Sequence, residues 1–159
     1  MEEQMMQIEF KLNGTNVTMV VDTRETLLDA IRDRSGLTGP KKGCDEAACG
    51  ACSVLLNGKA ICSCTMLAVE ASGEEVVTIE GLSHADIPSP IQKAFIENDA
   101  FQCGFCTSGQ IIAAKSLLDT SKGPISGDHI REAMSGNLCR CGAYVKILEA
   151  IQQASRGGR

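Results

Sequence analysis

The sequence predicts an α+β fold in which a small mixed sheet is followed by a helical half. Two Asn-Gly dipeptides, each flanked by alternating apolar residues, predict β-hairpins in the first half. In the second half, apolar residues recur at spacings of three and four, which is the pattern of amphipathic helices. A chain of 159 residues is long enough for two small domains of this kind.

The first hairpin is predicted in the stretch QIEFKLNGTNVTMVVD, around the turn Asn13-Gly14. A two-residue Asn-Gly turn between alternating residues is the strongest short-range hairpin signal. The apolar positions that alternate are Ile8, Phe10, Leu12, Val17, Met19 and Val21. In the following stretch, RETLLDAIRDRSGL, the spacing becomes helical, and we expect a helix that ends at Gly36.

A second hairpin is predicted in SVLLNGKAIC, and EEVVTIEGL indicates one further short strand. These elements would form a small mixed sheet crossed by one helix. The segment GLSHADIPSP contains two prolines and little periodicity, which is typical of a linker. We therefore expect a sheet domain in residues 1–80, a linker in 81–90 and a helical domain in 91–159.

Four short helices are predicted beyond the linker. The stretches that carry helical periodicity are SPIQKAFIEND, SGQIIAAKSLLDT, SGDHIREAMSG and AYVKILEAIQQAS. In the second stretch Ile111, Ala114 and Leu118 fall on one stripe. The pattern favours a helical domain in which four helices pack together.

Charge and hydropathy exclude several classes of protein. The net charge is −5, and the lysines and arginines form no basic stripe, so we expect no nucleic-acid partner. No apolar run approaches eighteen residues, and the first ten residues carry acids where a secretion signal carries bases, so we expect no membrane span and a cytoplasmic location. In a reducing compartment, nine cysteines are expected to bind metal.

The cysteines of the first half have a spacing that is specific. Cys44, Cys49 and Cys52 follow C-x4-C-x2-C, which is the spacing of plant-type [2Fe–2S] ferredoxins. Such a loop must wrap closely and point backbone N–H groups at sulfur, and the glycines and alanines of GCDEAACGAC suit that requirement. The fourth ligand could be Cys62 or Cys64, and the spacing does not decide between them.

The second half carries four more cysteines in two pairs. Cys103 and Cys106 form C-x2-C, and Cys139 and Cys141 form C-x1-C. Four thiolates could hold a second metal centre. Paired cysteines are also the usual signature of zinc sites, but C-x1-C is tighter than ordinary zinc spacing, so the pattern favours a cluster over zinc.

No other residues predict a reaction on this chain. His84 and His129 lie in polar surroundings and are predicted to be surface residues rather than ligands. The sequence lacks the common nucleophile, metalloprotease, phosphate-loop and dinucleotide motifs, so we expect no catalytic residues. A chain with two candidate redox centres and no catalytic group is expected to transfer electrons.

Three segments carry a family resemblance. GCDEAACGACSVLLNGKAICSC, FQCGFCTSGQI and MSGNLCRCGAY resemble, in order and spacing, the small iron–sulfur subunit of the molybdenum hydroxylases, the xanthine dehydrogenase and aldehyde oxidoreductase family. The resemblance extends over residues 5–154. It implies a β-grasp domain like plant ferredoxin followed by a four-helix domain, each binding one [2Fe–2S] cluster. It also selects Cys64 as the fourth ligand and leaves Cys62 spare.

The resemblance implies the ligands and partners as well. The first ligand set would be Cys44, Cys49, Cys52 and Cys64, and the second would be Cys103, Cys106, Cys139 and Cys141. In this family a large subunit binds molybdopterin and hydroxylates the substrate, and a medium subunit binds FAD. Electrons pass from molybdenum through the helical-domain cluster and then the ferredoxin-like cluster to FAD or another acceptor. Gln102 and the Cys141 sulfur would touch the pterin.

The substrate implied is an aldehyde, or alternatively a purine or an N-heterocycle. Two other hypotheses are a zinc-stabilised interaction module without redox activity and a free-standing two-cluster ferredoxin. Binding of a colourless metal would favour the zinc module over the iron–sulfur subunit. Burial of the QCGFC and NLCRCGAY loops against a partner would favour the subunit over the free-standing ferredoxin. Two features depart from the family pattern: CRCGAY replaces the commoner C-R-C-T/G-G-Y, and Ala47 stands where glycine is usual. If that position has a positive φ angle, alanine costs about 1–2 kcal/mol.

Overall fold

The structure is a computed structural model that describes residues 4–85 and 87–157. Residues 1–3 of the predicted sheet domain, residue 86 of the predicted linker and residues 158–159 of the predicted helical domain lie outside the described residues. The first hairpin pairs β1 (Met5–Leu12) with β2 (Thr15–Asp22) in antiparallel register. Asn13 and Gly14 have φ angles of 50° and 82°, as a two-residue hairpin turn requires. The predicted hairpin is therefore present.

Three short strands complete the sheet: β3 (Ser53–Leu56), β4 (Lys59–Cys62) and β5 (Glu75–Val77). The strand order is β2-β1-β5-β3-β4, with β1 parallel to β5 and the other pairs antiparallel. The sheet is mixed, and the predicted α+β class is confirmed. Strand β5 ends earlier than the apolar pattern predicts because the Thr78 N–H donates to Asn13 Oδ1 at 2.8 Å.

One short helix packs under this sheet. Helix α1 (Leu27–Asp29) begins at Thr26, whose hydroxyl accepts from the Asp29 N–H at 3.2 Å, and it continues as a π-helical segment, Ala30–Arg34. The chain then turns at Gly36, which has a φ angle of 68°. The helix residues Leu27, Ala30 and Ile31 are buried with those of the sheet, so the two elements share one core. The sequence predicted the helix but not its π-helical part.

Four helices follow in the second half. Their bounds are α2 (Pro90–Glu97), α3 (Thr107–Thr120), α4 (Gly127–Ala133) and α5 (Tyr144–Arg156). Helix α2 begins with a capping box between Ser89 and Gln92, and Ser126 caps α4. The core between the helices includes Phe95, Ile112, Ile130 and Ile151. Among the described residues, each helix is too short or too polar to pass through a bilayer.

Helix α3 joins the two halves of the chain. The Ser108 hydroxyl donates to the Gly39 carbonyl at 2.6 Å, and Ser116 Oγ accepts from the Ala60 N–H at 3.1 Å. Leu55 of β3 belongs to the buried cluster of the helices. Because α3 lies against the sheet half along its length, the cysteine loop that precedes α3 is held beside the cysteine loop that precedes β3.

Candidate metal centres

The first cysteine loop wraps tightly between α1 and β3. Three of its residues, Asp45, Ala47 and Gly50, have φ angles of 62°, 58° and 71°. Positive φ angles reverse the direction of the chain over a few residues, so the loop curls and its N–H groups turn inward. Residues 42, 43 and 45–48 of the loop are exposed. Cys52 leads directly into β3 and is buried.

Backbone N–H groups of this loop point at sulfur, as the sequence predicted. The Ala48 N–H donates to Cys44 Sγ at 3.2 Å, and the Ala47 N–H donates to Cys64 Sγ at 3.4 Å. The N–H of Glu46 lowers the pKa of Cys44 to about 7 by stabilising its thiolate, with the Cys49 thiol contributing less. Burial instead raises the pKa of Cys64 to about 11. Thiols must lose their protons to bind metal, so the loop favours the metal-binding form at Cys44.

The thiols of the first set lie in two pairs. The Cys44 thiol interacts with Cys49, and Cys52 interacts with Cys64 in one buried cluster. In the described residues, no three cysteine, histidine or carboxylate side chains converge as ligands of a single metal ion. A [2Fe–2S] cluster with four cysteine ligands takes two thiolates at each iron, so two pairs of thiols fit this group.

The second set of cysteines is also paired. It is formed by the loop before α3 and the loop between α4 and α5, and its pairs are Cys103 with Cys141 and Cys106 with Cys139. Burial raises the pKa of Cys106 to about 12, whereas the backbone N–H of Phe105 lowers the pKa of Cys103. These pairs again fit a group with two thiolates at each iron.

A buried amide network holds the two loops together. Gln110 is 1% exposed, and its Nε2 donates to the Asn137 carbonyl at 2.8 Å. The Asn137 side chain in turn donates from Nδ2 to the Gly50 carbonyl at 3.3 Å. Sequence reasoning missed both residues. The one sequence signal for this network was Gln110 itself, a polar residue beside the apolar stripe of α3. A buried amide needs hydrogen-bond partners, so Gln110 could have been predicted to bind a neighbouring loop.

One backbone hydrogen bond joins the two cysteine sets directly. The N–H of Leu138, the residue before Cys139, donates to the Cys49 carbonyl at 2.9 Å. The approach is close because α3 has no side chain at Gly109, where an added Cβ atom would lie 2.1 Å from the Gly50 carbonyl oxygen. A continuous path of covalent bonds and one hydrogen bond therefore runs from Cys49 to Cys139.

Exposed apolar side chains surround the second set. They are Phe101, Phe105, Leu138, Tyr144 and Val145, each at least 43% exposed. A cavity of about 440 Å³ opens between the two loops and is lined by cysteines of both sets. Gln102 lies exposed in the same loop. By contrast, His84 and His129 are both exposed, away from the cysteines, as predicted for surface residues.

Comparisons with known proteins agree with this arrangement. A family model described as "2Fe-2S iron-sulfur cluster binding domain" matches residues 10–78, and one described as "[2Fe-2S] binding domain" matches residues 78–152. The aldehyde oxidoreductase iron-sulfur-binding subunit PaoA of Escherichia coli O157:H7 is 47% identical, with 96% of this chain and 72% of that subunit covered. The nicotinate dehydrogenase small FeS subunit of Eubacterium barkeri is 44% identical, with 92% of this chain and 93% of that subunit covered.

The chain belongs to the small iron–sulfur subunits of the molybdenum hydroxylases. A solved structure in this family, quinoline 2-oxidoreductase from Pseudomonas putida 86, superposes with a TM-score of 0.92 at 42% identity, covering 96% of this chain and 94% of that chain. As a member of the molybdenum hydroxylase family, the chain is an oxidoreductase subunit with two [2Fe–2S] binding domains. The family that the three cysteine-containing segments resemble is confirmed.

The resemblance predicted a strained alanine at position 47, and the structure shows the strain. Ala47 has a φ angle of 58°, which costs an alanine about 1–2 kcal/mol. We expect Ala47→Gly to stabilise the protein by about 1 kcal/mol, because the relieved strain exceeds the roughly 0.4–1 kcal/mol lost to the more flexible unfolded chain. Thermal unfolding of the metal-loaded protein measures this difference.

The matched control is Ala48→Gly in the same loop, where φ is not positive. That change relieves no strain and should lower the melting temperature. If both variants shift the melting temperature in the same direction, strain at Ala47 does not explain the result.

Proposed function

We propose that the eight paired cysteines ligate two [2Fe–2S] clusters. The first ligand set is Cys44, Cys49, Cys52 and Cys64, and the second is Cys103, Cys106, Cys139 and Cys141. The proposal is supported by the pairing of the thiols, by the N–H groups that point at sulfur and by the two matching domain families. Each cluster, when bound, takes up and releases one electron.

The chain's role would be to relay electrons from a molybdopterin centre to FAD or another acceptor. The observation that carries this proposal is the hydrogen bond from the Leu138 N–H to the Cys49 carbonyl, because it connects one ligand set to the other. Gln110 and Asn137 keep this connection short by holding the loop of the second set against Gly50. A protein that merely bound two separate metals would not need these contacts.

The partner at the second set would be a large molybdopterin-binding subunit. The apolar side chains around this set include Phe101 and Val145, which are 43% and 67% exposed, and apolar groups of this kind are typical of a protein interface. In that complex Gln102 and the Cys141 sulfur would contact the pterin. The exposed loop of residues 45–48 would face the acceptor, which we propose is FAD on a medium subunit.

The chain would consist of two domains joined by a linker and would lie in the cytoplasm. We propose that residues 1–80 form a β-grasp domain of the plant ferredoxin type, that 81–90 are a linker and that 91–159 form a four-helix domain. The strand order β2-β1-β5-β3-β4 with α1 packed beneath it supports the first part. The nine cysteines form no disulfide with one another, which favours a reducing location such as the cytoplasm.

The substrate of the complex would be an aldehyde, with an N-heterocycle or a purine as the alternatives. An aldehyde is supported by the relative at 47% identity, whose name describes an aldehyde oxidoreductase subunit. N-heterocycles are supported by the nicotinate dehydrogenase and quinoline 2-oxidoreductase relatives. Substrate-dependent reduction of the purified complex by each class distinguishes them.

Metal analysis tests the proposed clusters. We expect about four iron and about four acid-labile sulfide per chain in complex purified without oxygen, with two distinct signals in the EPR spectrum of the reduced protein. Zinc without sulfide in a colourless protein would contradict the proposal and favour an interaction module. A chain that carries both clusters but is stable and soluble without any partner would instead favour a free-standing ferredoxin.

A further inference from the structure

Cys62 is the ninth cysteine and belongs to neither proposed ligand set. We propose that Cys62 is a reserve ligand of the first [2Fe–2S] cluster, able to replace Cys64 at the iron that Cys52 also binds. This inference rests on the ligand sets proposed above. It predicts that the first site has five usable thiols for four ligand positions.

The position of the Cys62 thiol supports this inference. Its side chain packs against the buried cluster that contains both Cys52 and Cys64. It also lies 3.7 Å from the Ala47 carbonyl oxygen, and the N–H of the same Ala47 lies 3.4 Å from Cys64 Sγ. Both thiols therefore face one loop residue and one partner thiol, so a small movement would exchange them.

The segment between these cysteines is fixed to Cys52. Ser63 is fully buried, its hydroxyl donates to the Cys52 carbonyl at 2.7 Å and its carbonyl accepts from the Leu28 N–H at 3.1 Å. Cys62 is the last residue of β4, an edge strand that pairs only with β3. The anchored Ser63 keeps both thiols near Cys52, and the Cys62 side chain at the end of β4 is only half-buried and packs against the edge of their buried cluster.

The structure also explains why Cys64 is preferred. Cys64 is 4% exposed and its sulfur accepts the Ala47 N–H, which stabilises a thiolate, whereas Cys62 is half-buried and faces a carbonyl oxygen. A carbonyl repels a thiolate, so Cys62 would bind iron only when Cys64 does not. In the exchange the bond between iron and the Cys64 sulfur breaks and that thiolate takes up a proton, while the Cys62 thiol loses its proton and its sulfur binds iron, so no electron is transferred.

The reserve thiol serves only one of the four iron positions. All nine cysteines lie in the described residues, and Cys44, Cys49 and the second set have no additional thiol among them. Loss of Cys49 should therefore not be compensated, whereas loss of Cys64 should be. This asymmetry provides a matched control.

The test compares four variants of this chain, each produced with its partner subunits: Cys64→Ala, Cys62→Ala, Cys62→Ala with Cys64→Ala, and Cys49→Ala. We expect both single changes at 62 and 64 to retain about four iron and four sulfide per chain. The double variant and Cys49→Ala should each fall to about half, because only the second cluster remains. The EPR signal of the second cluster, unchanged in every variant, shows that the chain is folded.

Alkylation of Cys62 gives a readout that does not depend on activity. In the unmodified protein a thiol reagent should label Cys62, and in Cys64→Ala it should not, because the sulfur is bound to iron. Loss of the first cluster in Cys64→Ala, with the second cluster intact, would overturn the inference and leave the proposed function standing. Absence of iron and sulfide from the unmodified complex would instead overturn the proposed function.

Discussion

Gly109→Ala is expected to separate the two cysteine loops and to slow electron transfer between the clusters by at least tenfold. The added Cβ atom would lie 2.1 Å from the Gly50 carbonyl oxygen and 3.1 Å from the Ala51 Cα atom. These are backbone atoms that no side-chain rotation can move, and overpacking of this kind typically costs about 1–3 kcal/mol. The displaced loop would also lengthen the hydrogen bond from Leu138 to Cys49.

Rapid-mixing kinetics of the complex measures this effect, because the two clusters have separate spectroscopic signals. The matched control is Gly136→Ala, since Gly136 lies near the second set but an added Cβ atom there has no neighbour within 4 Å. We expect the control to transfer electrons at the original rate. Unchanged transfer in Gly109→Ala, with a melting temperature equal to that of the control, would mean that the close approach of the loops is not needed.

Cys106→Ser is expected to remove the helical-domain cluster and to stop electron flow to the natural acceptor. Cys106 is paired with Cys139 in the structure, and its loss leaves one of the two iron positions of the second set with a single thiolate. We expect the iron content to fall to about half, with the signal of the first cluster retained. Substrate should still reduce the molybdenum centre of the proposed large subunit, but turnover with the acceptor should fall to background.

The control for this variant is Cys62→Ser, which removes a thiol that neither proposed set requires. It should retain both clusters and normal turnover. Turnover of Cys106→Ser at the original rate with the natural acceptor would contradict the relay. It would show that electrons leave the large subunit by a path that avoids the second cysteine set.

The sequence predicted most of the elements that depend on local signals. The hairpin turns at Asn13-Gly14 and Asn57-Gly58 are where they were expected, because a turn with positive φ angles strongly favours these residues. The helices of the second half follow their apolar periodicity. The early end of β5 was missed because it depends on Asn13, a residue that is distant in sequence.

The candidate site was predicted only in part. Spacing indicated Cys44, Cys49 and Cys52 and the two pairs of the second half as candidate ligands, but it did not choose between Cys62 and Cys64. It could not identify the pairing of thiols between the loop before α3 and the loop after α4, which the packing of the helices creates. It also could not identify Asn137, because an asparagine beside a cysteine motif gives no sign that it binds the carbonyl of a residue in the other half.

The link between the loops at Leu138 has a consequence for how this surface can evolve. Both groups of that hydrogen bond belong to the main chain, so nearly any residue except proline can occupy position 138 and preserve it. The side chain at this position is 52% exposed and is therefore free to diverge. Related chains could in this way adapt to different catalytic subunits by changing the exposed side chain at position 138, while the backbone hydrogen bond between the two loops stays the same.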